Sequence, residues 1–438
     1  MNKLEAKKEK YIKKFANRDR KSDASLLIFL GWIMYMISYL GKVNYSANIT
    51  QIIDFYQVTK SEAGMVPTFF FFSYGIGQVI NGVFCKKYNI KWMIFCSLII
   101  SAIINLFVAI NLNFSIIKWL WLINGLALSV LWPTLVRLLS EMLPQKDLGR
   151  SSLIMGTTVA TGTLIIYGLS SVYAIFGKFK IAFYTAAIAE TIVAALWMLL
   201  YKRAVRRVKK EKVAEEDVVK EERNLTQGKI QQKRGERKVF YTSIYVLCFC
   251  AIGVNLIKDG LTTWVPSILK EEYSMTDSLS ILLTILLPIV AIFGNAYALT
   301  MHKKIPDYVT HCFVVFAVMG GVIGIIIGSL ALKLVALMLI GLVAVNFFAS
   351  SLNSLITSIF PIFMRGKVNS GLCAGVLNGF CYLGSTVSSY GLGYIADHFG
   401  WVSVFWTLIV FCVMVGIVWC GYIFIKQVSI KQDDKLNI

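Results

Sequence analysis

Residues 24–50 read ASLLIFLGWIMYMISYLGKVNYSANIT, an apolar run that ends in a lysine and then continues with polar residues. The eighteen residues from Ala24 to Gly41 carry no charge, and an uncharged apolar stretch of this length indicates a helix that crosses a membrane. A surface helix of a soluble protein would instead show one apolar stripe and one charged face. The segment therefore predicts an all-α membrane protein.

The rest of the chain repeats this pattern. Its 438 residues are 57% hydrophobic and 16% charged, and the apolar residues fall in blocks of about 20. We divide the blocks where charged residues, proline or glycine cluster. Twelve transmembrane helices are predicted, at residues 24–50, 62–84, 92–111, 116–140, 150–173, 180–201, 239–269, 278–301, 309–330, 333–358, 367–394 and 400–425.

The net charge of +20 is concentrated outside these blocks. Residues 1–23 hold nine Lys and Arg against four Asp and Glu, and residues 202–238 hold fourteen against seven. Cytoplasmic segments of membrane proteins carry such an excess, so both termini are predicted to be cytoplasmic in a multi-pass protein of the cell membrane. This interpretation is preferred to nucleic-acid binding. The charged N-terminus is also too long for a cleaved signal peptide.

The spacing divides the chain into two similar halves. A basic N-terminus (1–23) precedes a six-helix bundle (24–201), a charged linker (202–238), a second six-helix bundle (239–425) and a short tail (426–438). Two similar bundles with a site at their interface are typical of secondary transporters. The linker is predicted to be a cytoplasmic tether with room for a surface helix. The nine cysteines lack metal or redox spacing and are predicted to be free thiols.

Lysines at matching depth are the strongest local signal for a site. Lys42 follows eighteen uncharged residues in the first span, and Lys258 follows the eighteen residues from Phe240 to Ile257 in the seventh. One interpretation is that each lysine extends to the membrane surface beyond the hydrocarbon, which eighteen residues nearly cross. The other is that both face one cavity, where an anion between them would offset their repulsion.

Other ionisable and aromatic residues inside the spans are further candidates. Asp259 lies about 100° around the helix from Lys258, so we expect it to pair with a cation elsewhere or to carry a coupled proton. Glu190 is a candidate for proton coupling, or else a partner for Arg137 or for an interhelical hydrogen bond. Tyr35 and Tyr39 share one helical face with Lys42, suited to a sugar or phosphate or simply to packing, and Tyr45 recurs on the same span.

Several stretches resemble the organophosphate:inorganic phosphate antiporters of the major facilitator superfamily, which include glycerol-3-phosphate and hexose-6-phosphate transporters. They are YLGKVNYSANI, SEAGMVPTFFFFSYGIGQVINGVF, LWPTLVR, IKDGLTTWVPSILKEEY and GLCAGVLNGFCYLGSTVSSYGLGYIADHFGW. The last stretch is rich in small residues that allow close helix approach: Gly371, Ala374, Gly375, Gly379, Gly384, Gly391 and Gly393.

The resemblance implies two six-helix bundles that rock about a central site, with phosphate held by one basic residue from each bundle. Those two positions fall on Lys42 and Lys258, where the family normally has arginine. Tyr35, Tyr39 and Tyr382 match tyrosines that line the family's site. Two further basic or titratable positions of the family are occupied here by Gln78 and Thr161.

The leading functional hypothesis is exchange of a small phosphate ester for phosphate. The alternatives are a proton-coupled symporter of a carboxylate, using Asp259 or Glu190, and a transporter-like membrane sensor of a sugar phosphate. Enzymatic activity is not expected, because no catalytic triad spacing, phosphate loop or metal cluster is present in the sequence. No cofactor or metal is expected. The expected partners are a small anionic substrate and the lipid bilayer, with no nucleic acid and a monomeric state.

Overall fold

The computed structural model describes residues 24–84, 89–111, 113–143, 145–219, 234–363 and 370–436. The predicted N-terminal segment 1–23 lies outside this part of the chain. The basic residues Lys86, Lys87, Arg365 and Lys367 also lie outside it. The described residues are organised as α-helices joined by short turns, with one π-helical turn.

Eleven helices in the described part are long and apolar enough to cross a membrane. The last of them, Cys373–Ser429, is 57 residues long, which is more than twice the length that one crossing needs. Gly400 interrupts it with a φ of 76°, a left-handed conformation that favours glycine. The segment therefore makes two crossings, and the twelve predicted helices are confirmed.

We number the membrane-crossing helices α1–α12. Some are built from two or three consecutive helical pieces. In chain order they are α1 (Ser25–Ala47, continued by Ile49–Tyr56), α2 (Lys60–Phe84), α3 (Ile90–Ile110), α4 (Phe114–Ser129 and Leu131–Met142), α5 (Gln145–Met155 and Thr158–Ile175), α6 (Lys180–Val219), α7 (Arg234–Tyr273), α8 (Asp277–Thr284 and Leu286–Lys304), α9 (Tyr308–Ala331), α10 (Val335–Ser354, the π-turn Leu355–Ile359 and Phe360–Phe363), and α11 and α12 (Ser370–Leu436, divided at Gly400).

The predicted linker and tail are more helical than expected. Helix α6 continues to Val219 and α7 begins at Arg234, so both extend into residues 202–238. Ala204 and Val208 of this extension are fully buried. Helix α12 likewise continues through the predicted tail to Leu436. Hydropathy marks where a helix leaves the hydrocarbon, and a helix can continue past that point into water.

Small residues allow α11 to approach its neighbours closely. A Cβ atom added to Gly384 would lie 2.0 Å from the Ile252 carbonyl oxygen of α7. The same atom on Gly393 would lie 2.8 Å from the Lys60 carbonyl oxygen of α2. The prediction of close approach is confirmed at these two positions and not at Gly375, where an added Cβ would meet nothing within 4 Å. The eight described cysteines are free thiols, as predicted.

We call the end of the molecule that holds the turns 57–59 and 274–276 the far end, and the end that carries the linker the linker end. At the far end the Asp397 carboxylate, at the end of α11, accepts hydrogen bonds from the backbone N–H groups of Lys60 and Ser61 at 3.1 and 2.7 Å. A carboxylate is favourable at a helix N-terminus, so a residue of the second bundle caps the first turn of α2.

Ion pairs join the bundles at the same end. The Lys270 Nζ atom lies 2.5 Å from Asp54 Oδ2, and the Lys60 Nζ atom lies 3.1 Å from Glu271 Oε2. Among the described residues, every ion pair between the two bundles lies at the far end. The structure is therefore a conformation in which the bundles are bound together at the far end.

Candidate functional site

A cavity of about 200 Å³ lies between the two bundles. Helices α1, α2 and α5 form one wall, and α7, α8, α10 and α11 form the other. Five of the residues predicted to bind substrate or to couple protons line it: Tyr39, Lys42, Lys258, Asp259 and Tyr382. The structure thus brings together, at one interface, residues as distant in the sequence as Lys42 and Tyr382, which are 340 positions apart.

Lys42 lies in an aromatic environment. It is only 9% exposed, and its Nζ atom lies 4.2 Å from the ring centre of Tyr74, 4.9 Å from that of Tyr39 and 5.1 Å from that of Tyr382. Phe70 and Phe71 lie within 6 Å. Aromatic faces attract an ammonium group. Because the ammonium is held among these rings, Lys42 does not extend to a membrane surface.

A hydrogen bond from Lys42 crosses the interface between the bundles. The Lys42 Nζ atom donates to the Tyr382 hydroxyl oxygen of α11 at 3.4 Å. Lys42 has no ion-pair partner among the described residues, although Lys258 and Asp259 line the same cavity. The cation of the first bundle is therefore held by rings and one hydroxyl, without a carboxylate in contact.

Lys258 differs from Lys42 because it has a carboxylate beside it. Its Nζ atom lies 3.5 Å from Asp259 Oδ1, and both side chains are about one-fifth exposed. The expected pairing of Asp259 with a cation elsewhere was wrong, because its ion-pair partner is the adjacent Lys258. Cβ atoms of consecutive helical residues diverge by about 100°, but the long lysine side chain spans that separation where the two residues border an open cavity.

Two more polar groups hold Asp259 in place. Its Oδ2 atom accepts a hydrogen bond from the Ser385 hydroxyl at 2.6 Å and another from the Asn255 side-chain amide at 3.2 Å. Asn255 also donates to Ser385 at 3.2 Å. Asp259 is thereby fixed between α7 and α11.

The wall formed by the second bundle is also rich in side-chain amides, which the sequence reasoning did not identify. The Asn255 side-chain oxygen is buried and has no hydrogen-bond partner among the described residues. Asparagines within apolar spans were a signal that could have revealed this wall. The cavity-lining asparagines are Asn255, Asn295, Asn346, Asn353 and Asn378.

Tyr35 and Tyr45 lie away from the cavity. Tyr35 is buried behind Tyr39, with its ring 4.9 Å from that of Trp132. The Tyr45 hydroxyl donates to the Ala63 carbonyl oxygen at 3.0 Å, and its ring packs against Trp121. Gln78 accepts a hydrogen bond from Asn378 and so contributes to the interface between the bundles.

Glu190 is fully buried inside the first bundle and does not line the cavity. Its Oε1 atom accepts a hydrogen bond from Ser101 at 2.8 Å, which is the interhelical bond expected as one alternative. The other expected partner, Arg137, pairs instead with Glu141. Nearby, Asn124 donates to the Gly41 carbonyl oxygen at 2.9 Å. Buried polar groups therefore fix the α1 backbone next to Lys42.

The sequence matches the Major Facilitator Superfamily over residues 31–372. The chain belongs to this superfamily. It is a multi-pass membrane transporter and not an enzyme.

Two curated relatives match nearly the whole chain. The "Probable hexose phosphate transport protein" of Chlamydia pneumoniae is 20% identical over 418 residues, which cover 87% of this chain and 86% of the relative. The "Glycerol-3-phosphate transporter" of Bacillus subtilis (strain 168) is 23% identical over 421 residues, which cover 90% and 93%.

The fold also matches that of a bacterial homologue of the human lysosomal transporter Spinster in an inward-facing, occupied conformation. The TM-score is 0.67 at 12% identity, and the match covers 93% of this chain and 98% of the homologue. This similarity confirms the transporter fold.

Proposed function

We propose that the protein is a secondary transporter that exchanges a small phosphate ester, such as a sugar phosphate or glycerol phosphate, for phosphate. The observation that carries the proposal is that Lys42 and Lys258, one from each bundle, face the same cavity. A phosphate group between two ammonium groups gains charge-assisted hydrogen bonds from both. The names of the two curated relatives support the same class of substrate.

The different side chains of the two walls favour one orientation of the bound substrate. The anionic group lies between the lysines, with Tyr39 and Tyr382 beside it, and Tyr35 supports Tyr39 from behind. The cavity-lining asparagines offer donors and acceptors for the hydroxyl groups of a sugar or of glycerol. A ligand with an anionic end and a hydroxylated end therefore suits both walls at once.

Closure at the far end supports transport by alternating access. The excess of basic residues near the linker end supports a cytoplasmic position for that end, and for both termini, in the cell membrane. The structure then corresponds to a conformation closed to the outside. Opening the cavity outward requires separation of Asp54 from Lys270 and of Asp397 from the first turn of α2.

Exchange in reconstituted vesicles tests the proposal. Vesicles loaded with phosphate should take up labelled hexose phosphate or glycerol phosphate through the wild-type protein. Lys42→Ala and Lys258→Ala should each lower uptake at least about thirtyfold, because the loss of one member of a buried charge pair costs about 2 kcal/mol or more. Lys333→Ala is the matched control, since Lys333 is exposed at the far end and pairs with Glu272 away from the cavity. Unimpaired exchange in both cavity variants would contradict the proposal.

A second candidate function is proton-coupled symport, because Asp259 is a carboxylate in the cavity. Uptake driven by a pH gradient, without phosphate on the opposite side, would favour symport. Loss of that gradient-driven uptake in Asp259→Asn would assign the proton to Asp259.

A further inference from the structure

Asp259 is the one carboxylate among the described residues that line the cavity. It lies 3.5 Å from Lys258 and is fixed by Ser385 and Asn255. The cavity thus holds two lysines and one carboxylate, with a net charge of one positive unit. Asp259 is a counter-charge beside one of the two cations that a phosphate group would contact.

The net charge of the cavity favours the ligand whose own charge neutralises it, because less uncompensated charge then remains in the membrane interior. A singly charged anion brings the cavity to neutrality. A doubly charged anion leaves one negative unit there, and an uncompensated charge in a poorly solvated interior is costly. Without the Asp259 charge, the same site would hold two positive units and would match a doubly charged anion.

We propose that Asp259 determines the charge class of the substrate, so that the site selects an ester whose anionic group carries a single negative charge. The inference rests on the proposed function, because it assumes that an ester binds between Lys42 and Lys258. For a phosphate monoester the selected species is the singly protonated form, which is abundant only near and below the second phosphate pKa of about 6.

Two esters of the same sugar distinguish charge from shape. Glucose 6-sulfate carries one negative charge at all relevant pH values, whereas glucose 6-phosphate carries two at about pH 8. Binding of each ester to the purified full-length protein is measured by calorimetry at that pH. The wild-type protein should bind the sulfate ester at least as tightly as the phosphate ester. Asp259→Asn should shift the ratio of the two affinities toward the phosphate ester by about tenfold or more, because one unit charge is removed next to the anion.

Ser385→Ala is the matched control. It removes the hydroxyl that donates to the Asp259 carboxylate and leaves every charge in place. Loss of this charge-assisted hydrogen bond affects both esters alike, so the ratio of their affinities should stay within about twofold of wild type. A second measurement needs no variant. Between about pH 8 and pH 6 the singly charged fraction of glucose 6-phosphate rises from about 1% to about 50%. Wild-type affinity for this ester should therefore rise about fiftyfold, while affinity for glucose 6-sulfate stays constant.

The sulfate ester also controls for titration of the protein itself. Any ionisable group of the cavity that changed its charge between these pH values would alter the affinity of both esters. Besides Lys42 and Lys258, the ionisable side chains that line the cavity with Asp259 are Tyr39, Tyr167 and Tyr382. Cys381 lies one helical turn before Ser385, which donates to Asp259.

The results distinguish failure of the role of Asp259 from failure of the proposed function. A shifted ratio in Asp259→Asn, with a pH-dependent affinity for the phosphate ester alone, supports the role of Asp259. Binding of both esters with an unchanged ratio, or equal pH dependence of both, overturns that role and leaves the proposed function standing. Absence of binding of either ester to the wild-type protein overturns the proposed function and the inference together.

Discussion

The two walls of the cavity hold equivalent lysines in unequal surroundings. Lys42 of the first bundle lies among five aromatic rings without a carboxylate in contact. Lys258 of the second bundle lies beside Asp259, on a wall rich in side-chain amides. The two lysines lie at the same depth in equivalent helices of the two bundles, but their surroundings differ. The first bundle therefore supplies most of the uncompensated positive charge, while the second supplies hydrogen bonds.

The largest expected effect comes from removing Lys258 with and without its counter-charge. Lys258→Ala leaves Lys42 and Asp259, a site with no net charge, and exchange of a phosphate ester should be lost. Lys258→Ala combined with Asp259→Asn restores one positive unit. Exchange should then recover at least about tenfold relative to the single variant, as measured by uptake into phosphate-loaded vesicles. A double variant no more active than the single one would show that Asp259 does not offset the charge of Lys258.

Replacement of the two lysines should change the thermal stability of the protein in opposite directions. Lys42→Met removes a buried cation that has no ion-pair partner among the described residues, and should stabilise the ligand-free protein by about 1 kcal/mol. Lys258→Met leaves Asp259 facing the cavity without its cation, and should destabilise the protein by about 1–3 kcal/mol. Thermal unfolding of the detergent-solubilised protein without ligand measures both.

Changes of the same sign would remove the distinction between the two walls. If both variants stabilise the protein, Asp259 does not depend on Lys258 for its stability. If both destabilise it, the rings around Lys42 offset the cost of burying its charge, because several cation–π contacts together are worth as much as that burial.

The sequence predicted the membrane-crossing helices and the two lysines because both depend on position along the chain. An apolar run has to cross the bilayer, and equal distances from the start of two repeated helices place two residues at equal depth. The Lys258–Asp259 ion pair was missed because a helical projection fixes the direction of Cβ atoms and not the reach of a lysine side chain. Tyr35 shares the helical face of Lys42, but near the linker end that face packs against Trp132 of α4.

Features that depend on contacts between distant segments could not be predicted from the sequence. The cap on α2 joins Asp397 to residues 336 and 337 positions earlier, and no local pattern indicates such a partner. The five asparagines of the second wall come from four different helices, with two of them in α10. Each is compatible with an interhelical hydrogen bond or with a cavity, and only the packing of the helices distinguishes the two.

The smallest expected effect concerns the other carboxylate considered for proton coupling. Each bundle has one such residue, but Glu190 is fully buried within its bundle, whereas Asp259 faces the cavity. Glu190 accepts one hydrogen bond from Ser101, and its Oε2 atom has no partner among the described residues. Glu190→Gln keeps the shape and an acceptor for Ser101, so exchange should stay within about threefold of wild type, the worth of a weak hydrogen bond.

The preference between the sulfate and phosphate esters should also be unchanged in Glu190→Gln, in contrast to Asp259→Asn, because Glu190 does not contact the cavity. Glu190→Leu provides a comparison in which the hydrogen bond from Ser101 is lost as well. A Glu190→Gln variant with normal folding but without exchange would assign coupling to the first bundle. The functional difference between the walls would then lie in the buried network behind Lys42 and not in the counter-charge beside Lys258.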